Sequence, residues 1–129
     1  MGDFKKLRVW KEACTFADRV EAMARELPQP ERRWAFDQLV RAGHSIHETI
    51  AEGWGFDTDP QRLKYCGYAL SSGNECEDQL LALERKRLLV NSYETLPTDA
   101  RSLCAQIAKL KMSIEESIRK NQKKRRRSA

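Results

Sequence analysis

The stretch Trp10-Lys11-Glu12-Ala13-Cys14-Thr15-Phe16-Ala17-Asp18-Arg19-Val20-Glu21-Ala22-Met23-Ala24-Arg25-Glu26-Leu27 decides the fold. Trp10, Ala13, Ala17, Val20, Ala24 and Leu27 recur at steps of 3, 4, 3, 4 and 3, the spacing that lines one face of an α-helix. A helix with a single apolar stripe gains its stability by packing, so partners of the same kind are required. Pro28 and Pro30 stop the helix, and Pro30 with Glu31 suits the first turn of the next.

The same pattern continues outward along the chain. Phe36, Leu39, Gly43, Ile46 and Ile50 form a second seam, ended by Gly53-Trp54-Gly55. Thr58-Asp59-Pro60-Gln61 has the form of a capping box and opens a third helix, whose seam is Cys66, Ala69, Gly73, Cys76, Leu80 and Leu83. Its small residues allow close approach of a neighbour. After a connection over 91–97, Thr98 is placed to cap a fourth helix carrying Ala100, Leu103, Ile107, Leu110, Ile114 and Ile118. No stretch alternates as a strand does. The expectation is an all-α, up-and-down four-helix bundle over 1–118, with helices at about 6–27, 31–53, 59–89 and 98–120. Residues 119–129 are expected to be a disordered basic tail.

Two further stripes, Phe16/Met23 and Leu63/Leu70/Leu81/Leu88, flank the first and third seams. They fit either a broad core face or an oligomer interface.

At 129 residues, 40% hydrophobic and 33% charged, the chain builds one core and is too apolar for wholesale disorder. The net charge of +5 is unevenly placed. Seven of the 24 Lys and Arg lie at Arg119, Lys120, Lys123, Lys124, Arg125, Arg126 and Arg127 with no acid among them, which leaves 17 bases against 19 acids elsewhere, a body of net −2. The basicity belongs to one end. No apolar run approaches the roughly 20 residues of a membrane span. The first residues carry no secretory pattern, and Cys14, Cys66, Cys76 and Cys104 are widely spaced on helical patterns. Four reduced, buried thiols in a cytoplasmic protein are expected.

Several fragments carry a family resemblance. Phe4-Lys5-Lys6-Leu7-Arg8-Val9-Trp10, Leu27-Pro28, Glu31-Arg32, Gln38-Leu39-Val40-Arg41-Ala42 and Ile50-Ala51-Glu52-Gly53-Trp54-Gly55 closely resemble the four-helix-bundle proteins encoded in intervening sequences of bacterial 23S ribosomal RNA genes. Tyr68-Ala69-Leu70-Ser71-Ser72 and Glu75-Cys76-Glu77-Asp78-Gln79-Leu80-Leu81 extend the likeness to about residue 90. The resemblance implies a left-handed bundle assembled as a homopentameric ring, with no catalytic residues. Trp10, Gln38, Arg41, Glu52, Gly53, Gly55, Glu75 and Gln79 stand at its motif positions as structural residues, with Glu52 and Glu75 accepting from Arg41 or Gln38 across the bundle. Where the family has Ser-Ile-Pro, this chain has Ser45-Ile46-His47, so a straighter second helix is expected. More distantly, the chain is similar to pentameric accessory proteins of diversity-generating retroelements, which implies a reverse transcriptase and nucleic acid as partners.

Among candidate sites, His44, His47, Glu48 and Glu52 share one helix. A carboxylate-bridged di-metal bundle needs a Glu-x-x-His pair from each of two helices, and only two histidines exist, so no metal and no cofactor are expected. Glu75, Glu77 and Asp78 point to different sides of a turn, and the cysteines have no neighbouring base. Gly53-Trp54-Gly55 lacks phosphate-loop spacing and reads as a helix stop with Trp54 covering the bundle end. The cationic end carries the functional expectation: a non-enzymatic oligomer binding RNA or DNA, or serving a ribonucleoprotein. The other reading is a protein–protein scaffold whose cationic end is only solubilising.

Overall fold

The computed structural model describes residues 2–129. Asp3 opens a 3-10 turn at Phe4–Lys6 by accepting from the Lys5 amide at 3.1 Å, and Phe4 then meets the Trp10 ring edge-on at 5.1 Å. Helix α1 follows at Arg8–Arg25, burying Val9, Ala13, Phe16, Ala17, Val20, Met23 and Ala24. Phe16 and Met23 therefore belong to the core of the chain itself. One of the two surplus stripes is consumed by the fold, because α1 sits in the corner between the second and the last helical rod and is covered on two sides.

The second rod has three parts: α2 at Glu31–Trp34, a π-helical turn at Ala35–Val40 and α3 at Arg41–Trp54. From Leu39 in the π-turn the buried series continues through Gly43, Ile46, Ile50 and Gly53 of α3, which passes His47 without interruption. The irregularity of this rod lies before His47.

Helix α4, Asp59–Arg85, buries Cys66, Ala69, Gly73, Cys76, Leu80 and Leu83, the seam read from the sequence, together with Arg62. Thr58 occupies the N-cap position with extended backbone, but its side chain makes no capping hydrogen bond, so the expected capping box does not form. The helix stops at Arg85 rather than near 89. Arg87 turns into the left-handed region at φ 60°, its amide donating to Glu84 O and that of Leu88 to Leu83 O, a Schellman closure that the sequence hides because an arginine fills the glycine place.

A 3-10 turn at Asn91–Thr95 leads into α5, Leu96–Ser128, which begins ahead of Thr98. Its start is fixed by partners other than Thr98. Thr95 donates to the Asp99 carboxylate at 2.9 Å, and Arg19 of α1 spans Asp99 at 2.5 Å and the Ser92 carbonyl at 2.8 Å. Asp99 also lies in the first turn, where the helix dipole favours a carboxylate.

Consecutive rods pack side by side and α5 returns against α1, which closes a four-rod bundle with no strand among the described residues. Two glycines permit close contact. A Cβ on Gly53 would meet Tyr65 Cβ at 2.8 Å, and one on Gly73 would meet Cys104 Sγ at 2.5 Å.

Candidate functional site

The last buried residue of α5 is Ile114, and Ile118 still packs partly against the core; every residue from Arg119 onward is exposed. Since the helix continues to Ser128, its final ten residues project about 15 Å beyond the bundle at the usual helical rise. Residues 119–128 are thus helical where a disordered tail was expected. Lysine, arginine and glutamine are good helix formers, and cations in a last turn complement the dipole, so the helix extends without an apolar anchor.

The geometry sorts the seven cations. At about 100° per residue, Arg119, Lys120, Lys123 and Arg127 fall on the side opposite Ile107, Ile114 and Ile118, with Lys124 and Arg126 at its two edges. Arg125 takes the other side. Lys120 is paired with Glu116 at 3.3 Å, an exposed contact one turn back. The others have no acid partner among the described residues. A rigid row of unpaired guanidinium and ammonium groups suits phosphates spaced along a backbone.

The motif residues fall in different settings. Trp10 packs on the core with its indole N–H buried and without an acceptor among the described residues. Gln38 and Arg41 are exposed and line an open polar groove of about 280 Å³ with Asp37, Ser45, Ser72 and Glu75. Neither reaches Glu52 or Glu75 by a hydrogen bond. Glu75 instead accepts from Gln79 at 3.2 Å, one turn along its own helix, and Glu52 is exposed. The expected cross-bundle acceptors are therefore surface groups; both carboxylates lie on the outer side of their helices, away from the seam.

Gly53-Trp54-Gly55 ends α3, but Gly55 keeps ordinary helical backbone at φ −74°. The glycine that the packing requires is Gly53, against Tyr65. Trp54 lies on the core and receives the Arg62 guanidinium 5.8 Å above its ring, while Arg62 also donates to the Phe56 carbonyl at 3.1 Å. Arg62 is buried, so its charge is spent on closing this corner. Nothing in the local sequence singles it out except its place one turn before Cys66.

Cys66 and Cys76 are buried, whereas Cys14 and Cys104 are half-buried. Burial pushes the Cys66 thiol up to about 11 and that of Cys76 up to about 12, the latter helped by the Glu75 charge. Such thiols are poor nucleophiles at neutral pH. Glu75, Glu77 and Asp78 do not converge; Glu77 is half-buried and the other two are exposed.

His44 links two helices. Its Nε2 stands 3.0 Å from Glu21 Oε1 on α1 and its Nδ1 stands 3.0 Å from His47 Nε2. Desolvation lowers the pKa of His47, and the neighbouring His44 lowers it further.

Four packed rods with a projecting basic helix end define a helical-bundle protein with one strongly cationic surface element. The family model of the 23S rRNA-intervening sequence protein matches residues 5–109, and the chain belongs to that family. No curated protein matches it. The matched span ends ten residues before Arg119, so the cationic element lies outside what the family model describes. No helix among the described residues is long and apolar enough to cross a membrane.

Proposed function

We propose that this chain is a non-enzymatic, oligomeric bundle protein whose basic helix end binds the phosphates of RNA or DNA, alone or as part of a ribonucleoprotein. The observation that carries this reading is the exposed, projecting row from Arg119 to Arg127, seven cations without an acid, on a body of net −2. An RNA-related role fits the family.

Assembly multiplies the effect. Leu63 and Leu70 remain half-buried beside the α4 seam, and this stripe supports a contact between copies, in a pentameric ring as the family resemblance implies. Several basic ends on one ring act together through effective concentration, so individually weak contacts sum to useful affinity.

Labelled RNA and duplex DNA titrated with the full chain and with a chain ending at Ile118 test the binding. Because 119–128 bury nothing, the shortened chain keeps its helix content and assembly while losing most affinity. Light scattering at micromolar concentration reads the assembly, and a mass near the 15.0 kDa of one chain removes it. A ring that binds no nucleic acid at low salt favours the scaffold role instead.

A further inference from the structure

We propose that His44, His47 and Glu48 form a half-buried site for one divalent transition-metal ion, with Glu21 as its positioning carboxylate. The donor atoms of the three lie within 4.8 Å of one another. His44 Nδ1 and His47 Nε2 are 3.0 Å apart. Metal–imidazole bonds of about 2.0–2.1 Å place neighbouring nitrogens roughly 3.0–3.4 Å apart, so the rings need only small rotations. Glu48 is exposed and one turn beyond His44, free to swing its carboxylate inward.

A second arrangement supports the same reading. With the proton on His44 Nε2, Glu21 Oε1 accepts it at 3.0 Å and the Nδ1 lone pair faces His47. The other Glu21 oxygen is held by Arg25 at 2.7 Å, so the carboxylate is itself fixed. A carboxylate behind a histidine is how metal sites set the tautomer and raise ligand basicity. Glu21 comes from α1 and the ligands from α3, so the site ties two helices. Asp18, whose charge reaches His47, adds to the negative charge of Glu21 and Glu48, and Arg25 is paired with Glu21.

Binding moves the His47 proton from Nε2 to Nδ1, and both histidines ligate as neutral rings. Two nitrogens and a carboxylate oxygen suit zinc and its first-row neighbours, with the remaining positions taken by water. The His44 side chain is 29% exposed, which gives an ion access. A mononuclear site does not need the doubled Glu-x-x-His set of a di-metal bundle.

Calorimetric titration of the untagged full chain with zinc tests the proposal, with cobalt absorption to report the ligand type. The expected result is one ion per chain, binding lost in both His44→Gln and His47→Gln, and affinity lowered about 10-fold in Glu21→Gln. Glutamine keeps a hydrogen-bonding side chain at each place, and circular dichroism confirms that helix content is unchanged; should either variant unfold, Glu48→Gln on the exposed ligand gives the same reading. Absence of zinc binding by the full chain, equal binding by the double histidine variant, or a cobalt–thiolate charge-transfer band would each overturn the site and leave Glu21, His44 and His47 as a hydrogen-bonded tie between helices.

Discussion

Gly73 of α4 and Cys104 of α5 set the approach of the two helices: a Cβ on the glycine would stand 2.5 Å from the cysteine sulfur. Ile46 of α3 is the next neighbour at 4.0 Å, so the sulfur is the chief obstacle. Alanine at this place would gain about 0.5–1 kcal/mol of helix propensity and lose about 1–3 kcal/mol to overpacking. Gly73→Ala is therefore expected to destabilise by about 1 kcal/mol in urea denaturation. In a Cys104→Ala background the obstacle is gone, and the same substitution should become neutral or stabilising. Additivity of the two changes would show that the contact does not limit the approach.

The seam residues of α4 were legible in the sequence because periodicity reports burial directly, and Cys66 through Leu83 fall where the pattern puts them. Helix ends were less legible. Thr58 and Thr98 have the chemistry of caps, yet the structure closes the α5 start with Thr95, Asp99 and Arg19, and Arg19 is 80 positions from its carboxylate partner. Such a contact has no local signature. The π-turn at Ala35–Val40 has no sequence signature either, and it buries Ala35 while Phe36, read as the first seam residue, is only partly buried. Glu21 behind His44 is a third case, since a ligand's supporting carboxylate on another helix cannot be read from one helix alone. The cationic end was legible as charge but not as helix.

Arg87 provides a separate test of how α4 ends. Its backbone at φ 60° costs a side-chain-bearing residue what glycine is spared, and the Schellman closure depends on it. Arg87→Gly is expected to stabilise the fold by about 0.5–1 kcal/mol, after allowance for the greater freedom of glycine in the unfolded chain. Chemical denaturation should show a higher midpoint at unchanged slope. A lower midpoint would mean that the Arg87 side chain contributes more than its backbone costs.

The buried thiols predict the alkaline limit of stability. Cys66 at about 11 and Cys76 at about 12 stay protonated in the fold above the ordinary thiol value of 9.0. A raised folded pKa contributes stability that is fully present below the unfolded value and is lost as pH rises through the folded one. The fold should hold to about pH 9 and weaken from there toward pH 11–12. Alkylation near pH 8 should label Cys14 and Cys104 first, and Cys66 and Cys76 only after denaturation. Rapid native labelling of Cys76 would reveal an opening of the α4–α5 contact.

The final prediction concerns the direction in which the projecting helix presents its charge. If phosphates are met by the face away from the bundle, Arg119, Lys123 and Arg127 act together while Arg125 lies aside. Each phosphate neutralised contributes about −0.9 to the slope of log affinity against log salt on duplex DNA. The triple change Arg119→Gln, Lys123→Gln and Arg127→Gln should flatten that slope by about 2–3 for each engaged helix end, whereas Arg125→Gln should flatten it by less than one. Affinity of the unaltered chain should fall steeply between roughly 50 and 200 mM salt and show little dependence on base sequence, because cations along a helix side read phosphates rather than base edges. Equal flattening by Arg125→Gln and by each of the other three would mean that the end acts as an undirected cloud of charge. Salt-insensitive binding by the chain ending at Ile118 would move the site onto the bundle, where the polar groove of Gln38, Arg41 and Glu75 is the next surface to alter.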